Sequence, residues 1–256
     1  MSSPLLRAEA LSVSIGGHAV CRDLTWTVDA GETWAILGRN GAGKSTLLNT
    51  LAGLHRQDHG TLQVGGHALP DAAAGRHARA LARVRGYLAQ HQLDPFASTV
   101  METALVGRHP HLGRWDWESL ADRDIAAAAL AEVDLADCAE RDVQTLSGGE
   151  RQRLAVAQLL AQQPALFLLD EPLTHLDLSH QVAVMELFAV AINRQEHAHA
   201  PPGGSKEGDG DELERGIHRW MVTLPVGCAS CFASGHPCSS CSPRACSLPA
   251  AASRRR

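Results

Sequence analysis

The sequence predicts an α/β protein with a parallel β-sheet at its core, an antiparallel β platform and a helical subdomain. Three observations support this fold class. The apolar run at 34–37 is followed by a glycine-rich turn and then by residues of helical character. A second apolar run at 165–169 has the length of a strand buried on both faces, which is typical of parallel sheets. Between them, an alanine-rich stretch with helical periodicity covers 118–133.

The antiparallel platform is predicted from two shorter segments. Residues 5–14 and 24–28 have the composition of strands, with Gly16 and Gly17 as a turn, and residues 61–64 are another strand, followed by a turn at 65–66. We therefore expect the platform to precede and flank the parallel core.

The glycine-rich turn, GRNGAGKST at 38–46, matches the spacing G-x-x-x-x-G-K-[ST]. Its glycines let backbone N–H groups approach phosphate oxygens, and the positive end of the next helix favours the same anion. Lys44 would reach the β- and γ-phosphates of a nucleoside triphosphate, and the Ser45 hydroxyl would ligate Mg²⁺. A turn that merely joins strand to helix would not need all these residues in register. The predicted binding residues in the loop are Gly38, Asn40, Gly41, Gly43, Lys44, Ser45 and Thr46.

A second glycine-containing motif, LSGGERQR at 146–153, precedes an apolar helical run. Ser147 followed by Glu150 three residues later is also a capping box, which is a purely structural alternative. A cap does not need the consecutive glycines Gly148 and Gly149, which permit close approach of a charged group to the helix end. Two phosphate-facing helix ends in one chain indicate a site shared between two subunits.

Two carboxylates, Asp170 and Glu171, follow the apolar run at 165–169. In open α/β sheets, ligands bind at the carboxyl ends of the strands. Asp170 would hold Mg²⁺ directly or through water, and Glu171 would polarise the attacking water as general base. The alternative is an ordinary turn at the end of a strand.

With these three motifs, which are its Walker A, signature and Walker B motifs, the chain resembles the ATP-binding cassette family from about residue 5 to about 192. The resemblance implies ATP and Mg²⁺ as cofactors and a P-loop ATPase core. It also implies a homodimer, in which Ser147, Gly148 and Gly149 of one protomer close on the γ-phosphate held by the other. By the same resemblance, Gln90 is the Q-loop glutamine that contacts Mg²⁺ and water and senses a membrane partner. Residues 174–177 correspond to the D-loop, which contacts the opposite protomer.

The segment VGRHPHLG at 106–113, followed by Trp115 and Trp117, resembles the importers of cobalamin, haem and ferric siderophores. This resemblance implies integral-membrane permease subunits as partners, an indirect link to a substrate-binding protein, and a place on the inner face of the cell membrane. The tryptophans would be packing anchors under the membrane subunit. His109 and His111 could form a metal pair, although two histidines in a loop are more typical of a polar surface.

Composition is consistent with this interpretation. A net charge of −5 and the lack of a basic block argue against a nucleic-acid partner. No apolar run approaches the roughly 20 residues that span a bilayer, so we expect a cytosolic chain whose pore is another polypeptide. Two alternatives remain: a soluble cassette ATPase without a transport role, and a nucleotide-binding remnant with impaired hydrolysis.

Two positions depart from the family pattern. Ile15 stands where the family has an aromatic residue that stacks on adenine. After Ile192 the sequence shows no apolar strand that ends in the family's switch histidine, since His197, His199 and His218 lack such a strand before them. We therefore expect a missing parallel strand, an exposed sheet edge and slow turnover.

The predicted domain organisation is an ATPase domain at 1–192, with its helical subdomain at about 91–162, and an atypical, irregular tail at 193–256. Five of the seven cysteines lie in the tail. Cys228, Cys231, His236 and Cys241 have the spacing of a zinc knuckle, and disulfides are a further alternative. A shifted reading frame after about residue 193 is the simpler explanation.

Overall fold

The computed structural model describes residues 3–30, 32–69, 77–90, 97–113, 115–173, 176 and 179–188, together with the backbone of 220–225 and 253–254. Its strands are β1 (Leu6–Ile15), β2 (His18–Val28), β3 (Trp34–Gly38), β4 (His59–Val64), β5 (His67–Leu69), β6 (Arg85–Leu88), β7 (Leu166–Asp170), β8 (Trp220–Pro225) and β9 (Ser253–Arg254). Its α-helices are α1 (Lys44–Leu51), α2 (Ala78–Val84), α3 (Val100–Leu105), α4 (Leu120–Glu132) and α5 (Gly148–Gln162). Residues 179–188 are also helical.

The first sheet is antiparallel, with strand order β2-β1-β4-β5. Both predicted glycine turns are present. Gly16 and Gly17, with φ of 57° and 81°, join β1 to β2, and Gly65 and Gly66, with φ of 54° and 78°, join β4 to β5. Two consecutive positive φ angles are the requirement of the tight hairpin turn, and glycine meets it without steric cost. The antiparallel platform is confirmed, and β2 begins earlier than the predicted strand at 24–28.

The second sheet has the order β6-β7-β8-β3-β9, and all its pairs are parallel except that of β3 with β9. The expectation that no strand follows Ile192 is wrong here, because β8 lies in the centre of this sheet. It pairs on one side with β3, from Trp34 to Gly38, and on the other with β7, from Phe167 to Asp170. The parallel strand that we expected to be missing is therefore present between β7 and β3. Apart from β8 and β9, the residues of the tail lie outside the described part of the chain.

Strand β7 separates two hydrophobic cores. The first core lies between the antiparallel sheet and α1, and the second lies among α3, α4 and α5. Side chains alternate between the two faces of a strand, so Leu166 and Leu168 pack in the first core while Phe167 and Leu169 pack in the second. All five residues of β7 are buried, as the unbroken apolar run predicted.

A buried ion pair stabilises the helical subdomain. Arg108, in a 3-10 helix at Val106–His111, donates from Nε to Asp122 Oδ1 at 2.9 Å. Its Nη1 donates to the carbonyl of Ala161 at 2.8 Å and to Gln163 Oε1 at 3.1 Å. One guanidinium thus joins the start of α4 to the end of α5. The hydrogen bond from the Ser119 hydroxyl, then that from Arg108, lowers the pKa of Asp122 to about 2.

No helix within the described ranges combines the length and the apolar character needed to cross a bilayer.

Candidate functional site

The phosphate loop connects the carboxyl end of β3 to the first turn of α1, as its sequence predicted. Gly41 and Gly43 have φ of 80° and 88°, in the left-handed region that favours glycine. Gly43 also lies against β2, because a Cβ at this position would meet Val20 Cγ1 at 2.7 Å. The two glycines are therefore required by the backbone, and Gly43 by close packing as well.

Lys44 is buried, and its ammonium lies over the loop's own carbonyls. Nζ donates to the carbonyl oxygen of Gly38 at 3.0 Å and to that of Arg39 at 3.3 Å. Ser45 and Thr46 are half-buried in the first turn of α1, while Asn40 and Gly41 are exposed. The loop thus gathers one cation, two hydroxyls and a helix N-terminus, the combination that binds a polyphosphate.

Asp170 is the last residue of β7 and is only 2 % exposed. Tyr87 lies on the neighbouring strand β6, and Asp170 influences the pKa of its hydroxyl group. Burial, and second the negative charge of Asp170, raise the pKa of Tyr87 to about 12. Asp170 therefore places a carboxyl group in a largely dry position at the end of β7.

Glu171, directly after Asp170, has a left-handed backbone with φ of 49°. Such a conformation is uncommon for a residue with a side chain and costs on the order of 1–2 kcal/mol. Gln90 lies two residues beyond β6 and donates from Nε2 to Glu171 Oε2 at 2.8 Å. The structure therefore brings together the two residues predicted to be catalytic.

The loop, the carboxylates and Gln90 share one edge of the parallel sheet. Strands β3, β6 and β7 run in the same direction, so their carboxyl ends at Gly38, Leu88 and Asp170 lie on the same side. This is the edge at which parallel α/β sheets bind ligands.

The second glycine motif forms the N-terminus of α5. Ser147 Oγ accepts a hydrogen bond from the Glu150 N–H at 3.3 Å, and Glu150 Oε2 accepts one from the Ser147 N–H at 2.8 Å. The capping box considered as an alternative is therefore real. It leaves Gly148 unexplained, because this residue is exposed and a Cβ added to it would have no atom within 4 Å. Gly149 is half-buried.

Arg141 contacts this motif and was not predicted. Its Nη1 donates to Glu150 Oε1 at 3.1 Å, and its Nη2 donates to the carbonyl of Thr145 at 3.3 Å. Hydrogen bonds from Ser147, first from its backbone N–H, and then from Arg141, lower the pKa of Glu150 to about 2. Arg141 and Glu150 are nine residues apart, a spacing without a local pattern that could have indicated the contact.

The importer-like segment at 106–117 contains one part that is hydrogen-bonded to the rest of the subdomain and one part that is exposed to solvent. His111 Nε2 bonds to the carbonyl of Gln162 at 2.9 Å, whereas His109 faces Glu118 at 3.6 Å. The two rings therefore have different partners, which gives no support to a shared metal. Trp115 and Trp117 are 85 % and 88 % exposed. Thr174, His175, Asp177 and the cysteines at 228–246 lie outside the described residues.

A glycine-rich loop between strand and helix, a lysine at the end of that loop and acidic residues at the end of β7 define an α/β protein of the P-loop class. Comparison with known proteins then shows the family. The family model described as ABC transporter matches residues 21–174. The chain belongs to the ATP-binding cassette (ABC) transporter family and is an ABC-type ATPase.

The curated relatives include the ferric enterobactin transport ATP-binding protein of Escherichia coli, 39 % identical over 193 residues that cover 74 % of this chain and 68 % of that protein. The hemin import ATP-binding protein of Gloeobacter violaceus is 41 % identical over 196 residues, with 74 % and 68 % covered. Among solved structures, a metal-chelate type ABC transporter in an inward-facing conformation is 27 % identical, with a TM-score of 0.64, and the match covers 88 % of this chain and 74 % of that one.

Proposed function

We propose that this chain is the ATP-hydrolysing subunit of an importer for a metal chelate such as a ferric siderophore, haem or cobalamin. The observation that carries the catalytic part is the 2.8 Å hydrogen bond between Gln90 and Glu171 at the sheet edge that also carries the phosphate loop. A base and an orienting amide beside a polyphosphate loop can direct water at a terminal phosphate.

In this proposal each group of the loop has a role toward ATP. Backbone N–H groups from Gly38 to Thr46 surround the β-phosphate, and Lys44 moves from the carbonyls of Gly38 and Arg39 to phosphate oxygens. Exchange of carbonyl oxygens for charged ones strengthens its hydrogen bonds. Glu171 accepts a proton from water as the water oxygen attacks the γ-phosphorus and the bond to the bridging oxygen breaks.

The residues present fit Mg²⁺. The ion prefers hard oxygen ligands, and the buried carboxylate of Asp170, the hydroxyl of Ser45 and the amide oxygen of Gln90 are of this type. Asp170 has the strongest claim, since its carboxyl group is buried at the end of β7, on the sheet edge that carries the phosphate loop. When bound, Mg²⁺ neutralises charge on the phosphate oxygens.

We further propose a homodimer in which Ser147, Gly148 and Gly149 of one protomer cover the nucleotide of the other. Gly148 supports this. Gly148 is the first residue of α5, and within the described residues neither a positive φ nor a close neighbour requires glycine there. A glycine that no contact within the described chain requires indicates a position where a second molecule approaches the backbone closely.

Gly148→Ala tests the composite site directly. We expect the variant to be as stable as the unchanged chain or more stable, to bind ATP as a monomer, and to lose ATP-driven dimerisation in light scattering. Gly17→Ala, in the β1–β2 turn, is the control on a glycine remote from this surface. Dimerisation that survives Gly148→Ala would contradict the composite site.

Hydrolysis is tested by release of phosphate from ATP and Mg²⁺, with Glu171→Gln as the paired variant. We expect turnover by the unchanged chain and binding without turnover by the variant. Equal rates in two folded samples that bind ATP would favour the second candidate, a nucleotide-binding remnant. An observation supports that candidate: β8 ends at Pro225, and the two residues that follow it in the sequence, Val226 and Gly227, are not histidine.

The transport role rests on the relatives, whose names state ferric enterobactin transport and hemin import. We propose permease subunits as direct partners, a substrate-binding protein as an indirect one, and a position on the inner face of the membrane. Exposed Trp115 and Trp117 supply anchor residues for such a contact. Uptake of radiolabelled ferric siderophore, haem and cobalamin by cells with and without the chain identifies the substrate. Unchanged uptake of all three would favour a soluble cassette ATPase.

The cassette in this proposal comprises residues 1–192 together with β8, and the rest of 193–256 is an atypical tail whose reading frame should be checked by resequencing.

A further inference from the structure

We infer that Arg141 is a positioning residue that fixes the direction of the Ser147–Gly148 helix end toward the nucleotide of a second protomer. The inference rests on the proposed composite site, and it assigns a role to a residue outside all three motifs.

The geometry of the guanidinium carries the inference. Nη1 contacts Glu150 Oε1 at 3.1 Å while Nη2 contacts the Thr145 carbonyl at 3.3 Å. Thr145 is two residues before Ser147, and Glu150 is three residues after it. One planar group therefore bridges both sides of the turn at which the helix begins. Such a fork restrains rotation of the turn, which a single donor could not do.

The Glu150 carboxylate connects Arg141 to Ser147 through two hydrogen bonds. Its second oxygen, Oε2, accepts the Ser147 N–H at 2.8 Å, so the carboxylate is held by Arg141 on one oxygen and holds Ser147 with the other. If Arg141 is removed, the Ser147 N–H still holds Oε2 in the capping box, but the restraint on Oε1 is lost. The exposed residues Ser147 and Gly148 would then sample more directions relative to the rest of the subdomain.

The base of Arg141 is itself rigid. Its carbonyl accepts the Val100 N–H at 3.0 Å, the neighbouring Val143 N–H donates to the Ser98 carbonyl at 3.0 Å, and Thr99 pairs with Asp142 in an antiparallel bridge. The guanidinium therefore extends from backbone that is anchored to the start of α3. Placement of a catalytic surface within about 0.5 Å requires support of this kind.

Arg151 provides a matched control. It lies next to Glu150, is exposed, and donates from Nη2 to the carbonyl of Gln144 at 3.0 Å. Its guanidinium thus hydrogen-bonds to the same loop, but at Gln144 and not at the Thr145 carbonyl or the Glu150 carboxylate.

The experiment measures three quantities: ATP-driven dimerisation in the Glu171→Gln background, kcat in the unsubstituted background, and binding of a fluorescent ATP analogue at concentrations too low for dimers. We expect Arg141→Ala to weaken dimerisation and kcat about fivefold to tenfold. Monomer affinity for the analogue and the melting temperature should stay unchanged, since the phosphate loop leads into α1, which packs in a different hydrophobic core from α5. Arg151→Ala should remain within about twofold of the unsubstituted chain.

Glu150→Gln tests the route through the carboxylate. A glutamine oxygen can still accept the Ser147 N–H, but its amide group would face Arg141 with another donor. We expect this variant to reproduce the Arg141→Ala effect, and the double variant to be no worse than either alone. Arg141→Lys keeps the charge with one donor head and should give an intermediate loss.

Equal behaviour of Arg141→Ala and Arg151→Ala would overturn the inference, as would a loss of monomer ATP binding or of melting temperature alongside the dimer. If Arg141→Ala fails to fold, Arg141→Lys and Glu150→Gln provide the same comparison. Failure of Glu171→Gln alone to dimerise with ATP, together with failure of the unsubstituted chain to hydrolyse it, would overturn the proposed function along with this inference. That result is distinguishable, because it precedes any change at Arg141.

Discussion

Val20 of the antiparallel sheet lies directly against Gly43 of the phosphate loop: a Cβ at Gly43 would fall 2.7 Å from Val20 Cγ1 and 2.8 Å from Val20 Cγ2. Because β2 packs against Gly43, the residue that precedes α1, this contact holds the phosphate loop between the two sheets. The antiparallel sheet therefore shapes the phosphate loop although it contributes no predicted phosphate ligand.

Gly43→Ala should consequently damage the chain more than Gly41→Ala. Both residues have positive φ, so each substitution introduces strain of about 1–2 kcal/mol, but only at Gly43 does the added methyl group meet another side chain. Urea unfolding should show the larger loss of stability for Gly43→Ala. Val20→Ala in the same chain should recover part of it. Equal losses at the two glycines would contradict the contact.

The buried pair of Arg108 and Asp122 makes a prediction about pH. The pKa of Asp122 lies at about 2 in the folded chain against an ordinary 3.8, so the folded state binds fewer protons than the unfolded state between these values. Its contribution to stability is therefore complete above about pH 4 and is lost as the pH falls toward 2. Chemical unfolding over this range should be less pH-dependent in Asp122→Asn than in the unsubstituted chain.

Loss of one partner of this pair should also be costly at neutral pH. Arg108→Ala leaves a carboxylate with little access to water, and such changes cost about 3–5 kcal/mol. Arg7→Ala, which removes an exposed pair with Glu9, is the control and should cost less than about 1 kcal/mol. A similar, small loss in both variants would show that the Arg108 pair is better hydrated than its burial indicates.

Gln90→Ala should separate catalysis from binding. Removal of the amide releases the Glu171 carboxylate from its 2.8 Å contact, and a general base displaced by about 1 Å can lower the rate about a hundredfold. We expect kcat to fall while monomer affinity for ATP changes little. Gln57→Ala, whose amide bonds to the carbonyl of Leu69, is a control far from the strand ends. A fall in affinity with unchanged kcat would assign Gln90 to ground-state binding.

Ile15 predicts weak recognition of the base. It is 52 % exposed at the end of β1 and offers no π surface. Ile15→Tyr should tighten ATP binding by about 1 kcal/mol, or roughly fivefold, if an adenine stacks there. Ile15→Leu should leave the affinity unchanged. Titration with ATP and GTP would measure both effects, and no gain with tyrosine would place the base elsewhere.

Strand β8 predicts where the chain can be shortened. A chain ended after Ile192 leaves β3 and β7 without the strand that pairs with both, so we expect it to aggregate or fail to unfold cooperatively. A chain ended after Pro225 keeps the strand and should retain a cooperative transition. Similar unfolding curves for the two lengths would show that β8 adds little to the sheet.

Local patterns in the sequence were sufficient for the phosphate loop, the glycine hairpins and the buried strand before Asp170. In each of these the geometry is set within a few residues: a positive φ at Gly43, a two-residue turn at Gly16, an apolar run that leaves no exposed face. The fold class and the family were predicted on these grounds and are confirmed.

The same local patterns could not predict contacts between residues that lie far apart in the sequence. Strand β8 has only a short apolar run, its last residue is proline, and its partners lie far away in the chain. The contact of Arg141 with Glu150 likewise depends on how a turn folds back, for which the sequence has no periodic signal. The extent of β2 was underestimated because its outward side chains face water and break the apolar pattern.

Strand β7 has a consequence for how the molecule opens. Its amide groups lie between Leu166 and Leu168 on one side and Phe167 and Leu169 on the other, so melting either core alone leaves one face of the strand covered. Hydrogen exchange at these amides should then require opening of both cores and report the global free energy of unfolding. Residues 166–169 are thus the place where two otherwise separate cores become a single cooperative unit.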